Sequence, residues 1–122
     1  MPDTQPLFYG LKKSSVGATN EYLKSPRVPR GEVWHVTRVT FEDETTAYTS
    51  ARIFRGTEQT PAWLSEQLAS PAAVLFWDEG PFRLGEGEEI GVRFTGTTTL
   101  DQLTAVISGE REYLGKAGPQ SA

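Results

Sequence analysis

Cysteine is absent from the sequence, which excludes disulfides, thiolate nucleophiles and cysteine-ligated metals at once. Histidine occurs once, at His35, and a single histidine with no Ser-His-Asp arrangement around it provides neither a histidine-based metal site nor a catalytic triad. No apolar run approaches the ~20 residues of a membrane-spanning helix, and the N-terminus lacks the apolar core of a signal peptide. Positive charge is also in deficit, since 12 Lys and Arg against 16 Asp and Glu give a net charge of −4. We therefore expect neither a nucleic-acid partner nor a membrane partner.

Motifs that carry catalysis or bind cofactors are missing as well. The sequence contains neither the G-x-S-x-G of a nucleophile elbow nor a phosphate-binding loop ending in G-K-[ST]. Gly85 and Gly87 begin a G-x-G pattern, but Ile90 stands where a dinucleotide-binding fingerprint needs its third glycine. We predict no catalytic residue, no cofactor and no metal, and hence a protein that is not an enzyme.

Acidic residues concentrate in two turns of the C-terminal half. We interpret them as solvated turn residues that keep strand edges soluble. Calcium binding is an alternative, although the D-x-D spacing of loop calcium sites is missing. A pair of glycosidase carboxylates is a second alternative, and it would require a substrate groove with aromatic platforms. The residues concerned are Asp78, Glu79, Glu86, Glu88 and Glu89.

The 122 residues fit one domain, which we divide into an extended N-terminal arm (1–29), a β-sandwich body (30–114) and a C-terminal tail (115–122). Prolines punctuate the arm and exclude a central strand there. Two short apolar pieces, Leu7-Phe8-Tyr9 and Tyr22-Leu23, are each expected to form an edge strand or to lie against a partner.

The body has the sequence pattern of an all-β domain, with short strand segments separated by turn residues every 8–12 residues. From Glu32 to Phe41 the alternation changes phase, which predicts a β-bulge near Thr37-Arg38 or burial on both faces. Ala51 and Ile53 are expected to face inward from a second strand. Further inward-facing positions are Ile90, Val92, Phe94, Leu103, Ala105 and Ile107.

Residues 56–71 break this rhythm. Thr60-Pro61 offers an N-cap with proline at the first helical position, and Trp63, Leu64, Gln67 and Leu68 follow at helical spacing, so we predict a short helix near residues 61–69. Trp63 is expected to be half exposed, which favours a protein contact over a sugar contact.

The next segment, Val74-Leu75-Phe76-Trp77, is typical of a strand buried on both sides. We therefore expect Trp34 and Trp77 to lie in the core.

The layout V-P-R-G-E-V-W-H-V-T-R-V (28–39), an acidic-Thr hairpin, L-G-E-G-E-E-I-G-V-R-F-T-G (84–96) and a closing strand ending in I-S-G (107–109) resembles small β-sandwich virion proteins of tailed bacteriophages, particularly those of actinobacterial hosts. The resemblance spans roughly residues 28–109 and implies a capsid decoration or tail-associated protein. It transfers no catalytic motif.

Together, pattern and resemblance predict an all-β, antiparallel, jelly-roll-like sandwich that acts as a structural virion protein. Its expected partners are the major capsid or tail protein and further copies of itself. A carbohydrate-binding module that recognises host-surface glycans is the alternative function. The residues expected to contact partners are Leu7, Phe8, Tyr9, Tyr22, Leu23 and Trp63.

Overall fold

The computed structural model describes residues 3–57, 59–70 and 74–114. Within these ranges the chain forms nine β-strands and no helix, and therefore no helix that could cross a membrane. The strands are β1 (Asp3–Ser14), β2 (Asn20–Lys24), β3 (Glu32–Asp43), β4 (Tyr48–Gly56), β5 (Pro61–Ser70), β6 (Phe76–Asp78), β7 (Phe82–Leu84), β8 (Glu89–Thr95) and β9 (Gln102–Tyr113).

Two antiparallel sheets face each other. The first has the order β1-β9-β3-β6, with β7 also paired to β3, and the second has the order β2-β8-β4-β5. The chain crosses between the sheets at most of its connections, so apart from β4 and β5 the paired strands are not consecutive in sequence. Apolar side chains from both sheets, such as Trp34 and Ile107 from the first and Ile53 and Phe94 from the second, form one buried cluster between them. The predicted all-β antiparallel sandwich is confirmed.

The predicted β-bulge is present in β3. The pairing of β3 with β9 shifts register between Val36 and Arg38, so that Val36 and Val39 both lie in the core. Gly109 stands opposite the bulge, where an added Cβ would lie 2.1 Å from the carbonyl oxygen of His35. The close approach of the two backbones therefore requires glycine at this position.

The alternation predicted for three other strands is also confirmed. Ala51 and Ile53 of β4 are fully buried, as are Ile90, Val92 and Phe94 of β8. The inward side chains of β9, which are Leu103, Ala105 and Ile107, belong to the same buried cluster.

The helix predicted near residues 61–69 is wrong. These residues form β5, which pairs with β4 along its whole length. A register shift at Ile53/Phe54 leaves Leu64 without a partner on β4, so a bulged strand produces the same spacing of apolar residues as a short helix. An isolated two-turn helix is marginal, whereas β4 supplies backbone partners along the whole of β5.

The interpretation of Val74 to Trp77 as a strand buried on both sides is also wrong. Only Phe76–Asp78 form a strand, β6, and it pairs with β3 at the end of the first sheet. Trp77 is 60% exposed and lies outside the core, whereas Trp34 is fully buried as expected. Trp77 is opposite Thr40 on the outer face of the first sheet, which is open to solvent, and an apolar run does not reveal which face a side chain takes.

Most of the segment expected to be an extended arm lies in the sheets. β1 pairs with β9 and β2 pairs with β8, each at an edge, which is the alternative that the sequence left open. Pro6 lies in β1, and an edge strand tolerates proline because one side of its backbone has no partner to bond. The predicted C-terminal tail, 115–122, lies outside the described residues.

Candidate interaction surface

The six residues predicted to contact partners occupy three different environments. Leu7 and Leu23 are in the core, with 2% and 3% of their surface exposed, and do not face a partner. Tyr9 packs against the core with its ring centroid 5.5 Å from that of Trp34. Phe8 is 67% exposed on β1. Tyr22 and Trp63 are brought together on the outer face of the second sheet.

The outer face of the second sheet carries an aromatic cluster centred on Phe54. Phe54 is fully buried but does not belong to the core between the sheets. Its ring centroid lies 5.8 Å from Tyr22 and 6.1 Å from Trp63, in edge-to-face geometry. On one side Phe54 is opposite Trp63 of β5. On the other side it is opposite Gly91 of β8, and β2 lies beyond Gly91.

Two arginines hold Trp63 of this cluster. The guanidinium carbon of Arg93 lies 4.4 Å from the Trp63 ring centroid, and that of Arg52 lies 5.4 Å from it. Arg52 Nε also donates a hydrogen bond to Glu66 Oε2 at 2.8 Å. Stacked arginines and tryptophan are the residue types that dominate binding energy at protein interfaces. Trp63 is 39% exposed, as predicted, so one part of its ring remains available to a partner.

The outer face of the first sheet presents two further aromatic side chains to solvent. Trp77 is opposite Thr40 in the sheet, and Thr40 in turn is opposite Val106 of β9. Phe8 lies at the other side of the same sheet, opposite Ser108. Both are candidate contact residues, because aromatic side chains are enriched where proteins bind proteins. Trp77 was not identified as a contact from the sequence, because an apolar run predicts burial.

The acidic turn residues do not gather into one site. Glu79 forms an ion pair with Arg38, and Glu88 Oε1 accepts a hydrogen bond from the Gly85 N–H at 2.7 Å. Glu89 is buried between Lys24 and Arg27, at 3.7 and 3.6 Å. Among the described residues no group of three or more His, Cys, Asp and Glu side chains is placed to hold a metal ion.

His35, the single histidine, lies at the surface of the first sheet. Its Nε2 is 2.8 Å from Glu112 Oε1, and both side chains are partly exposed. The pair joins β3 to β9 across the sheet. This geometry matches a structural role for His35.

A shallow cleft opens where β5 and β6 approach each other. Its volume is about 150 Å³, and its walls combine aromatic with polar side chains. Phe41 and Phe76 stack with their centroids 6.3 Å apart. The remaining lining residues are Ser65, Glu66, Gln67, Trp77 and Asp78.

A buried pair of carboxyl groups, Asp43 and Asp101, was not predicted from the sequence. Both are 1% exposed and lie where β3 ends and β9 begins. Burial, followed by the hydrogen bond to Asp101, raises the pKa of Asp43 to about 6. Burial alone would raise the pKa of Asp101, but the bonds from Asp43, Thr46 and the Thr98 N–H outweigh it and lower that pKa. The pair ties two loops together, because Asp43 accepts from the Thr45 N–H and Asp101 accepts from the Thr46 hydroxyl and the Thr98 N–H.

No protein-family model matches the chain, and no curated protein sequence is significantly similar to it. The solved structures that share its fold include two from assembled particles. One is a Bacillus endospore appendage, from a novel family of disulfide-linked pili; it is 7% identical, with a TM-score of 0.58 over 94% of this chain and 92% of that one. The other is from infectious bursal disease virus, Gx strain, at 8% identity and a TM-score of 0.54, covering 99% of this chain but 35% of that one. At such identities the likeness shows the fold alone.

Proposed function

We propose that the chain is a non-enzymatic structural subunit of a tailed-bacteriophage particle, bound to the capsid or the tail by protein–protein contacts. The observation that carries this proposal is the set of exposed aromatic side chains held on rigid strands at both outer faces. Trp77 and Phe8 lie on the first sheet, and Trp63 with its two arginines lies on the second. Partly exposed Trp and Arg are enriched where proteins bind proteins.

The strand order supports the same proposal. We infer that the sheets β1-β9-β3-β6 and β2-β8-β4-β5 form a jelly roll, an architecture found in viral capsid and lectin domains. The pilus subunit and the viral chain that share this fold both belong to assembled particles outside cells. The chain is expected to act in the same kind of setting, as part of a virion.

The experiment is to mix the purified chain with assembled shells and with assembled tails and to measure the mass that sediments with each. Saturable binding to one of the two particles is expected, and Trp77→Ala is expected to weaken it because the mutation removes an exposed contact without disturbing the core. Absence of binding to both particles would contradict the proposal.

The cleft between β5 and β6 favours a second candidate, recognition of a host-surface glycan. Pyranose rings stack on aromatic faces, and Ser65, Gln67 and Asp78 beside Trp77 offer donors and acceptors for sugar hydroxyls. A glycan array with the isolated chain separates the two functions. Saturable binding that Gln67→Ala abolishes would favour the glycan, whereas no binding is expected of a purely structural subunit.

A further inference from the structure

The described residues leave four strand edges, two in each sheet. β1 and β6 bound the first sheet, and β2 and β5 bound the second. An edge strand carries backbone N–H and C=O groups that no neighbour satisfies, and it can pair with a strand of another chain. Monomeric proteins prevent this pairing with short edge strands, lysines and prolines.

Three of the four edges have such protection. β1 carries Pro6, Lys12 and Lys13, and Lys13 also forms a 3.0 Å ion pair with Glu21 of β2. β2 is five residues long and ends in Lys24. β6 and β7, which cover the remaining edge of the first sheet, are three residues each. None of these edges offers a long, uncharged template.

β5 is the edge among the described strands that combines length with few charges. It has ten residues, PAWLSEQLAS, of which one is charged. That residue, Glu66, is bonded to Arg52 of the neighbouring strand at 2.8 Å, so its charge is offset within the sheet. The single proline is the first residue of the strand, and Leu68 near the other end is 63% exposed. A β-bulge also discourages edge pairing, and β5 has one at Leu64, but residues 65–70 contain no lysine, no proline and no further bulge and are therefore open to pairing.

We propose that β5 pairs antiparallel with β5 of a second copy, joining the two four-stranded sheets into one continuous sheet. A second copy is the occupant that the charges favour, because a nearly neutral strand pairs with itself without repulsion. An isologous contact of this kind uses one surface twice, closes on itself and gives a two-fold dimer, the commonest symmetric oligomer. The second copy is a further partner of the chain beyond those of the proposed function. The dimer is expected to form in the absence of any phage particle.

The geometry restricts the register of this pairing. The bulge at Leu64 interrupts β5, so the regular part begins at Ser65. Residues directly opposite each other in an antiparallel pair lie on the same face. The two-fold axis must therefore pass between one residue and the same residue of the second copy. An axis at Glu66 would oppose two carboxylates, which is unfavourable. The axis is therefore expected at Gln67 or Leu68.

The absence of cysteine from the chain allows a direct test by single-cysteine cross-linking. Gln67→Cys, Leu68→Cys and the control Phe8→Cys on β1 are each oxidised gently in the full chain. Opposed residues in an antiparallel pair are within the Cα separation that a disulfide spans. One of the two β5 variants is expected to form covalent dimers at least about tenfold faster than the control. Equal rates in all three variants, or a faster control, would overturn the proposal.

A second measurement uses no cross-link. In analytical ultracentrifugation the wild-type chain of 13.5 kDa is expected to approach twice that mass as its concentration rises. Leu68→Lys places two lysines at the interface and is expected to raise the dimer dissociation constant at least about tenfold. Phe8→Lys, a control with similar exposure, is expected to change nothing.

Two outcomes of this measurement would overturn the dimer. One is a wild-type chain that stays monomeric at hundreds of micromolar, and the other is an open series of larger species. Circular dichroism establishes that each variant is folded. A monomer that still binds shells or tails would overturn the dimer and leave the proposed function intact.

Discussion

Replacing Asp43 by asparagine should stabilise the protein at neutral pH and have little effect in acid. The Asp43 carboxyl is buried, and its Oδ1 accepts hydrogen bonds from the N–H groups of Thr45 and Thr46 at 3.0 and 3.2 Å. Among the described residues no donor reaches its Oδ2, and the carboxyl of Asp101 lies beside it. Two buried carboxyl groups in contact share a proton far more easily than they tolerate two negative charges.

The magnitude follows from the pKa of Asp43, which burial and Asp101 raise from 3.8 to about 6. The folded state therefore holds this proton more tightly than the unfolded state does. The resulting contribution to the free energy of unfolding is complete below pH ~4 and is lost as the pH rises through ~6, up to about 3 kcal/mol in all. An asparagine at this position would keep the acceptor for Thr45 and Thr46 and would donate an N–H to Asp101 at every pH. We expect Asp43→Asn to add about 1–3 kcal/mol at pH 7.5 and about zero at pH 4.5.

The assay is urea unfolding followed by tryptophan fluorescence at pH 4.5, 6.0 and 7.5. The wild-type stability should fall across this range, and the curve of Asp43→Asn should be flatter. Asp78→Asn, at a half-buried carboxylate on β6, is the matched control. Its curve of stability against pH should run parallel to that of the wild type. A variant that is less stable than the wild type at pH 7.5, or a flat wild-type curve, would refute the reasoning about the carboxyl pair.

Three further substitutions test the packing and the surface. Gly109→Ala should lower the free energy of unfolding in urea by about 2–3 kcal/mol or more, because the added Cβ would lie 2.1 Å from the backbone oxygen of His35. The control Gly10→Ala, whose nearest contact is at 3.9 Å, should change it by no more than about 0.5 kcal/mol. Trp63→Ala should lower the free energy of unfolding by about 2–3 kcal/mol, since it uncovers Phe54 and removes two arginine contacts. A variant as stable as the wild type would show that the aromatic cluster does not stabilise the fold. Trp77→Ala, at a side chain 60% exposed, should leave the melting temperature unchanged and weaken particle binding at least about tenfold; unchanged binding would remove Trp77 from the interface.

The alternation of apolar residues predicted the strands that bury one face. The inward positions predicted in β4, β8 and β9 are buried, and the change of phase in β3 located the bulge between Val36 and Arg38. In these strands the pattern and the burial have the same cause, because one face of each strand packs against the opposite sheet.

β5 and β6 were not predictable because their apolar residues do not all face the core. Trp63 packs on the outer face and Leu64 on the inner one, and the bulge between them mimics helical spacing. Trp77 lies on the outer face of the first sheet, away from the opposite sheet, and is therefore exposed. Local sequence carries no information on either point, since both depend on which strands become neighbours.

The candidate surface was predictable only in part. Tyr22 and Trp63 were identified as contact residues from the sequence, but the arginines that hold Trp63 were not. They approach it only because β4, β5 and β8 are neighbours in the second sheet. The Asp43–Asp101 pair was missed for the same reason, since Asp43 ends β3 and Asp101 precedes β9, and only the fold brings the two together.

Electron cryomicroscopy of phage particles that carry the chain would test the proposed structural role most directly. We predict ordered copies at symmetry-related positions, with Trp77 or the Trp63–Arg93 stack buried against a capsid or tail protein. Particles with no ordered copy, or copies whose aromatic faces both remain in solvent, would contradict it.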